Sequence, residues 1–385
     1  MKVLRVYHAG RDAAHRARER ALVAAGIDVT LVVPRAWPGG EAELSQEPFR
    51  MVELDVARPG DVNRHRYRDP QALARVLADV RPDLLDVHEE PFSVAARQWL
   101  RAAPQDLPVV MYTAQNVDKR FPPPFHQWEK AAHRRVAALY PCTRQAASVA
   151  RGKGFAGRID VLPLGYDDAL FRPGEQSLDD AELVLAFAGR LVPEKGVEDA
   201  IRVLAAVARV RPARLVVCGE GPVTPRGDGV EFLGRVGPAE LARVYRSAHV
   251  VLVPSRPTAT WTEQFGRVIV EAQASGAVVA GYDSGSIREV GGDAALLAPT
   301  GDVDALAALV LGLDDFESRR SAGLELAAER TWQRVAERQA ALYREPKERL
   351  SLPRSPRKRR ELARAEFGAT AATTAGTRPF ALRLR

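Results

Sequence analysis

The sequence predicts an α/β protein made of two doubly wound parallel sheets in series, facing each other across a cleft. Short apolar runs alternate with helical patterns, the alternation breaks at a polar stretch, and it then restarts. At 385 residues the chain also exceeds what one hydrophobic core usually holds, which favours two units of about 150 to 200 residues.

The first unit, residues 1–165, has strand-like runs at 2–7, 28–34, 49–54, 83–88, 108–113, 138–141 and 159–162, with a helix expected over 11–25. Connections of this length join parallel strands through helices that cover both faces of the sheet. Residues 166–181, rich in Pro, Gly and acids, form the expected linker. The second unit, residues 182–330, repeats the pattern. Its runs lie at 183–188, 213–218, 230–233, 250–254, 277–281 and 294–298, and its helices are expected at 197–210, 238–248, 264–275 and 302–314. In such sheets ligands sit beyond the carboxyl ends of the strands, so two facing units share one cleft.

Net charge is +7, but residues 347–385 alone hold 11 basic and 3 acidic groups, so everything before them is nearly neutral. That segment, with its Arg357-Lys358-Arg359-Arg360 run and Ala/Thr-rich end, reads as a disordered cationic tail. It offers peripheral contact with an anionic membrane face, and no specific nucleic-acid binding is expected. Cys142 and Cys218 lie in apolar runs of different units, as buried free thiols in a reducing compartment would. Neither a signal peptide nor a long apolar span is present in the sequence, so the expected location is the cytoplasm, up to the inner face of the membrane.

The most informative stretch is Thr262-Glu263-Gln264-Phe265-Gly266-Arg267-Val268-Ile269-Val270-Glu271. An apolar strand runs into a loop that should open a helix near Gln264, placing Glu263 at its mouth and Glu271 about two turns inside. Free N–H groups of the first turn, near Gly266 and Arg267, and the positive end of the helix dipole suit a diphosphate. Upstream, the strand ending Phe187-Ala188-Gly189-Arg190 is followed by Lys195-Gly196. A guanidinium and an ammonium at one sheet edge would neutralise a departing nucleoside diphosphate, although surface cations at a turn read the same way. Gly219-Glu220-Gly221-Pro222 closes the next strand in a turn that lets backbone approach a ligand or another strand. Thr224 stands where a dinucleotide fingerprint needs its third glycine, so no nicotinamide or flavin cofactor is indicated. Asp302-Val303-Asp304 follows Gly301 and reads as a helix cap rather than a metal site.

The two glutamates eight residues apart, with Gly-Arg-x4-Lys-Gly before them, resemble the signatures of retaining GT-B glycosyltransferases of family 4, also called group 1 glycosyl transferases. The resemblance covers about residues 1–345. It implies two Rossmann-like domains and a closing helix over 331–346 that packs back toward the first. Carried onto matching residues, it implies that Glu263 faces the transferred sugar, Glu271 holds the ribose, and Arg190 and Lys195 hold the leaving diphosphate without a metal. Gly189, Gly219, Gly221, Arg235, Val236, Phe265, Gly266 and Arg267 would complete the donor side, and Arg235-Val236 would lie where backbone meets the base. His88, at a strand end, matches the family histidine near the transferred sugar. Where the family often has a Gly-Gly pair after the first strand, only Gly10 remains, as a candidate backbone contact to the donor. Arg11, His15, Glu89 and Glu90 are candidate acceptor contacts, and the Pro-rich, aromatic residues 116–128 are an expected irregular loop beside the cleft.

The resulting expectation is a retaining glycosyltransferase that takes a nucleoside-diphosphate sugar as substrate, uses no cofactor, and glycosylates a glycan, a lipid-linked or a small-molecule acceptor. A same-fold epimerase or phosphorylase, or a non-catalytic sugar-nucleotide-binding protein, shares these features.

Overall fold

The structure, a computed structural model, describes residues 1–38, 46–178 and 181–345. The basic tail expected over 347–385, residues 179–180 of the expected linker and residue 346 of the expected closing helix lie outside the described residues.

The first half begins with β1 (Lys2–Val6), α1 (Ala17–Ala24), β2 (Asp28–Pro34) and β3 (Arg50–Leu54). A small antiparallel pair, β4 (Val56–Ala57) and β5 (Arg66–Tyr67), precedes α2 (Pro70–Val80). Then come β6 (Leu84–Val87), α3 (Val94–Ala102), β7 (Val109–Thr113), α4 (Phe125–Arg135), β8 (Ala138–Pro141), α5 (Arg144–Gly152) and β9 (Arg158–Ile159). Its sheet has the order β3-β2-β1-β6-β7-β8-β9, parallel throughout.

The second half runs β10 (Leu183–Ala188), α6 (Val197–Ala208), β11 (Ala213–Cys218), β12 (Val230–Gly234), α7 (Pro238–Ser247), β13 (Val250–Val253), α8 (Arg267–Ala274), β14 (Val278–Tyr282), α9 (Ile287–Gly291) and β15 (Leu296–Ala298). Its parallel sheet has the order β12-β11-β10-β13-β14-β15. Helices α10 (Val303–Leu311), α11 (Phe316–Ala328) and α12 (Trp332–Tyr343) follow.

Strand residues alternate between the faces of each sheet, so each sheet carries two cores. Leu4, Val6, Leu85 and Val87 meet α2 and α3 on one face of the first sheet, while Val3, Leu84, Val110 and Tyr140 meet α1 and α12 on the other. In the second sheet Leu185, Val217 and Leu252 pack on α6 and α10, and Ala186, Val216 and Val251 on α7 and α8. Each fully buried aliphatic side chain contributes about 1.5–3 kcal/mol, so these four layers dominate the stability.

Helix α12 crosses from the second half onto α1. Tyr166 pairs with Thr331 at the crossing, and Trp332 lies over Gly165, where an added Cβ would fall 2.6 Å from the indole. Beneath it, Arg5 is fully buried between Asp86 and Glu19, with its Nε 2.5 Å from Glu19. Asp86 also accepts from the hydroxyls of Tyr140 and of Tyr343 on α12. Leaving one of these charges unpaired in a dry core would be costly, so the network fixes the seating of α12.

Local differences from the sequence expectations have clear causes. The helix expected over 11–25 is broken into 3-10 turns at His8–Arg11 and Ala13–His15 before α1, because Asp12 accepts from Ala14 N and starts a new turn. Residues 116–124 are irregular as expected, but Phe125 already opens α4. Cys142 and Cys218 are buried and free, and burial pushes the thiols up to about 12 and about 11. Asp302 caps α10 through Ala305 N, 2.9 Å away.

Candidate active site

Both sheets reverse their strand order once, between β1 and β6 and between β10 and β13. Loops that leave such switch points diverge and open a crevice at the carboxyl edge. His8 follows β1, His88 to Glu90 follow β6, Arg190 and Lys195 follow β10, and Glu263 follows β13. The two crevices face each other. Asn116 Nδ2 donates to Glu263 O at 2.7 Å, and Gln264 Nε2 donates to Ala114 O at 3.1 Å, so the Glu263 loop is tied directly to the first half.

A cavity of about 530 Å³ lies between the halves, lined by Tyr7, His8, His88, Glu89, Glu90 and Asn116 on one side and Trp261, Thr262 and Gln264 on the other. A smaller one, about 180 Å³, is lined by Arg5, Tyr7, His15, Arg18, His88, Leu164, Arg267 and Trp332. Its lining contains no carboxylate. Arg5 is already neutralised by Asp86 and Glu19, whereas Arg18 is buried with Nη1 lacking a hydrogen-bond partner. Arg267 stands at the first position of α8.

His88 lines both cavities. Its Nδ1 is 3.2 Å from Arg5 Nη2, which can only donate, so Nδ1 accepts and the proton sits on Nε2. Burial, then the Arg5 charge, push the imidazole well below its ordinary range and keep it neutral. Tyr112 stacks on the ring at 4.0 Å and fixes its plane.

Lys195 Nζ lies 2.6 Å from Glu263 Oε2, which also accepts from Ser255 Oγ at 3.1 Å. The Trp261 ring sits 5.2 Å from the same ammonium. The sequence suggested that Arg190 converges with Lys195. Instead Arg190 is 62% exposed and turns to Glu194, 3.8 Å away, because the 3-10 turn Pro193–Lys195 carries the two cations in different directions.

Helix α8 starts at Arg267 rather than near Gln264, since Gly266 holds φ +74° as its N-cap. Glu271 is therefore about one turn inside the helix, not two. Burial raises its carboxyl pKa, opposed by Arg267, whose Nε is 4.0 Å away. Phe265 is buried in the core beneath the loop, so its side chain supports the loop and does not face the cleft.

Other candidates are committed to the protein itself. An added Cβ on Gly219 would fall 1.8 Å from Gly189 O, and on Gly221 2.3 Å from Leu191 O. The close approach that the Gly-x-Gly turn allows is thus to the neighbouring strand end, at Gly189. Arg235 is exposed and pairs with Glu220 at 3.1 Å, and Val236 is half-buried against the core. Gly10 donates its N–H to Tyr7 O at 3.2 Å and faces Leu31, so its amide is spent inside the turn. Arg11 pairs with Glu53. His15 lines the smaller cavity, and burial followed by the Arg267 charge lowers its pKa. Glu89 accepts from His8 N and meets the His8 ring. Glu90 accepts from Thr113 Oγ1 and Ala114 N, both at 2.8 Å. Trp261 and Ser255 carry no signal of their own in the sequence and Asn116 only through the loop 116–128 expected beside the cleft, because their placement depends on loops meeting from both halves; Arg18 lies on α1, where only the fold turns it to the cavity.

These paired crevices, with an acid and a lysine at one mouth and a neutral histidine at the other, define a two-sheet α/β protein with a cavity between its halves. Family comparisons agree. The model described as Glycosyltransferase Family 4 matches residues 19–170, and the one described as Glycosyl transferases group 1 matches residues 182–314. The chain belongs to the group 1, family 4 glycosyltransferases, with the GT-B architecture of two Rossmann-like parallel-sheet domains. The D-inositol 3-phosphate glycosyltransferase of Segniliparus rotundus is 33% identical over 215 residues, covering 49% of this chain and 47% of the relative. The protein of that name from Corynebacterium glutamicum is 35% identical over 223 residues, covering 48% and 51%. The chain thus spans about half the length of the curated relatives it matches. Among solved structures, a sucrose-phosphate synthase from Thermosynechococcus elongatus superposes with a TM-score of 0.70 at 20% identity over 89% of this chain and 98% of that one. HepE of Anabaena, in complex with UDP and glucose, gives 0.65 at 19% over 89% and 98%. At these identities the structures are similar in fold. Among the described residues no helix is long and apolar enough to cross a membrane.

Proposed function

We propose that the protein transfers a sugar from a nucleoside-diphosphate donor to an acceptor held mainly by the first half, with retention at the anomeric carbon and without a metal ion on the leaving group. One observation carries this reading: loops at both switch points meet across the crevice, with His88 and Trp261 in the wall of the larger cavity, His88 and Arg267 in that of the smaller, and the Lys195–Glu263 pair beside Trp261. The basic smaller cavity at the α8 tip suits the diphosphate, and the larger, with acids and amides in its wall, suits sugar and acceptor.

In this mechanism the bond from the anomeric carbon to the diphosphate oxygen breaks toward an oxocarbenium-like state. The acceptor hydroxyl attacks from the same face and its proton goes to the leaving phosphate oxygen. Lys195 exchanges Glu263 for phosphate as the charge develops, and Arg190 swings from Glu194 to join it. Glu263, released, meets the sugar hydroxyls, and Glu271 accepts from the ribose. His88 is held neutral with Nε2–H available, so its role is to donate a hydrogen bond to the sugar rather than to shuttle protons.

HepE was crystallised with UDP and glucose, and the curated relatives are named for an inositol phosphate. The test is therefore a panel of UDP-, GDP-, dTDP- and ADP-sugars with glycan, lipid-linked and phosphorylated polyol acceptors, scored for diphosphate release and for the anomeric configuration of product. Diphosphate release that depends on acceptor, with retained configuration, supports the reading. Epimerised sugar formed without acceptor would show the same-fold alternative, and calorimetric donor binding without turnover on any acceptor would show a binding protein. Peripheral membrane contact would rest on the basic tail, and comparing liposome co-sedimentation of the full chain with that of a chain ending at Pro346 decides it.

A further inference from the structure

His65 sits between β4 and β5, fully buried. Its Nδ1 is 3.1 Å from the carbonyl oxygen of Asp61, which can only accept, so Nδ1 carries the proton. Nε2 then presents a lone pair, and it has no hydrogen-bond partner. What it faces is Glu89 Oε1, a second acceptor, at 3.9 Å. Two lone pairs opposed in a dry site are unfavourable unless something positive lies between them.

The third member is His8, whose Nδ1 is 2.7 Å from Oε2 and 2.9 Å from Oε1 of the same carboxylate, and whose backbone N–H also donates to Oε1. One ligand atom from each of His8, His65 and Glu89 lies within 4.8 Å of the others. Metal bonds of about 2.0–2.2 Å in a tetrahedron put ligand atoms about 3.3–3.6 Å apart, so small side-chain shifts suffice. We propose that His8, His65 and Glu89 form a binding site for a zinc-class divalent cation in the wall of the larger cavity. Two imidazoles and a carboxylate select zinc and its transition-metal neighbours over magnesium or calcium. The Asp61 carbonyl on His65 Nδ1 is the outer-shell contact that orients a ligating histidine. Trp37 packs against both rings, 4.7 Å from His8 and 5.0 Å from His65, and covers one side of the cluster.

The three ligands come from the loop after β1, the β4–β5 connection and the loop after β6, so a bound ion would staple three separate segments of this wall. His8 and Glu89 also line the cavity, which leaves a fourth position within reach of water or of an acceptor oxygen. This inference does not depend on the transfer reaction.

Untagged full-length protein, stripped with chelator and dialysed, is titrated with Co²⁺ and then Zn²⁺. The expected result is one equivalent of Co²⁺ with the intense visible bands of a four-coordinate site, displaced by Zn²⁺ and not by excess Mg²⁺. His65→Ala and His8→Asn should each weaken Co²⁺ binding by about tenfold or more, the scale of losing even an outer-shell contact. His8 is the more exposed ligand, so His8→Asn keeps the test decisive if His65→Ala does not fold, with circular dichroism reporting the fold. Zn²⁺ should raise the melting temperature of wild type and not of His8→Asn. Absence of saturable Co²⁺ bands in wild type, or unchanged Co²⁺ affinity in folded His8→Asn, would overturn the site and leave a proton-linked His–Glu–His cluster.

Discussion

Replacing Lys195 by Met removes one charge and keeps most of the side-chain volume, and the structure sets two separate consequences. The first concerns stability. Glu263 is only 7% exposed, and without Lys195 its carboxylate keeps one neutral donor, Ser255 Oγ at 3.1 Å. Breaking a fully buried pair costs about 3–5 kcal/mol. Here Lys195 is 19% exposed and water reaches the pair from one side, so about 1–3 kcal/mol is the expected loss. Adding Glu263→Gln should recover most of it, because no uncompensated charge remains. The second consequence concerns catalysis. A lost donor to a developing anion lowers turnover by about 10²–10³, or 2.7–4 kcal/mol, and the Glu263→Gln partner cannot restore that. Urea melts and saturating-donor assays of diphosphate release on the single and double variants separate the two effects. A Lys195→Met enzyme with near wild-type turnover would refute the leaving-group role, and a double variant as unstable as the single would refute the buried-charge account.

Arg190→Ala should leave the urea midpoint unchanged, since the side chain is exposed and its ion pair is loose, yet lower turnover by about 10²; equal turnover would show that the guanidinium never reaches the donor. Glu271→Ala should raise donor KM about 10- to 100-fold with a smaller effect on kcat, as expected for a lost charge-assisted hydrogen bond to a non-reacting hydroxyl, and an unchanged KM removes the ribose assignment. Gly219→Ala, with φ +145° and a Cβ placed 1.8 Å from a carbonyl oxygen, should cost about 3 kcal/mol or more by urea denaturation; a neutral result would contradict the close approach of β10 and β11 ends. His133 is buried and its pKa is depressed to about 4, mainly by burial, so between about 6.5 and 4 the unfolded chain binds a proton that the folded one does not. Its share of stability is present above that range and is lost as pH falls, reaching about 2–3 kcal/mol by pH 4, and His133→Leu should flatten this slope in urea melts across pH; an unchanged slope would place the acid sensitivity elsewhere.

What was legible in the sequence follows from locality. Strand and helix alternation, the restart after residue 181 and the spacing of Glu263 from Glu271 are all set by neighbours along the chain, and the two parallel sheets stand where periodicity put them. The misread features are decided by one residue's conformation or by contacts across the fold. Gly266 delays α8 by adopting a left-handed φ, and a hydrophobic pattern does not show where the first free N–H lies. Arg190 and Lys195, five residues apart, look convergent on paper, but a single 3-10 turn sends one to Glu194 and the other to Glu263.

The acids and histidines of the first half show why local spacing carries so little about chemistry. His88, Glu89 and Glu90 are consecutive, yet each answers to a different element: Arg5 of β1 sets the tautomer of His88, His8 and His65 surround Glu89, and the end of β7 engages Glu90. Charge state follows from those partners. Burial opposes His8's charge, but Glu89 outweighs it and holds the imidazole above its ordinary range, while the same burial leaves His88, facing Arg5, below it. Two histidines on adjacent strand ends are thus shifted in opposite directions because one meets a carboxylate and the other a guanidinium. That asymmetry leaves the His88 Nε2–H available to donate to a sugar, while the His8 ring is engaged by Glu89.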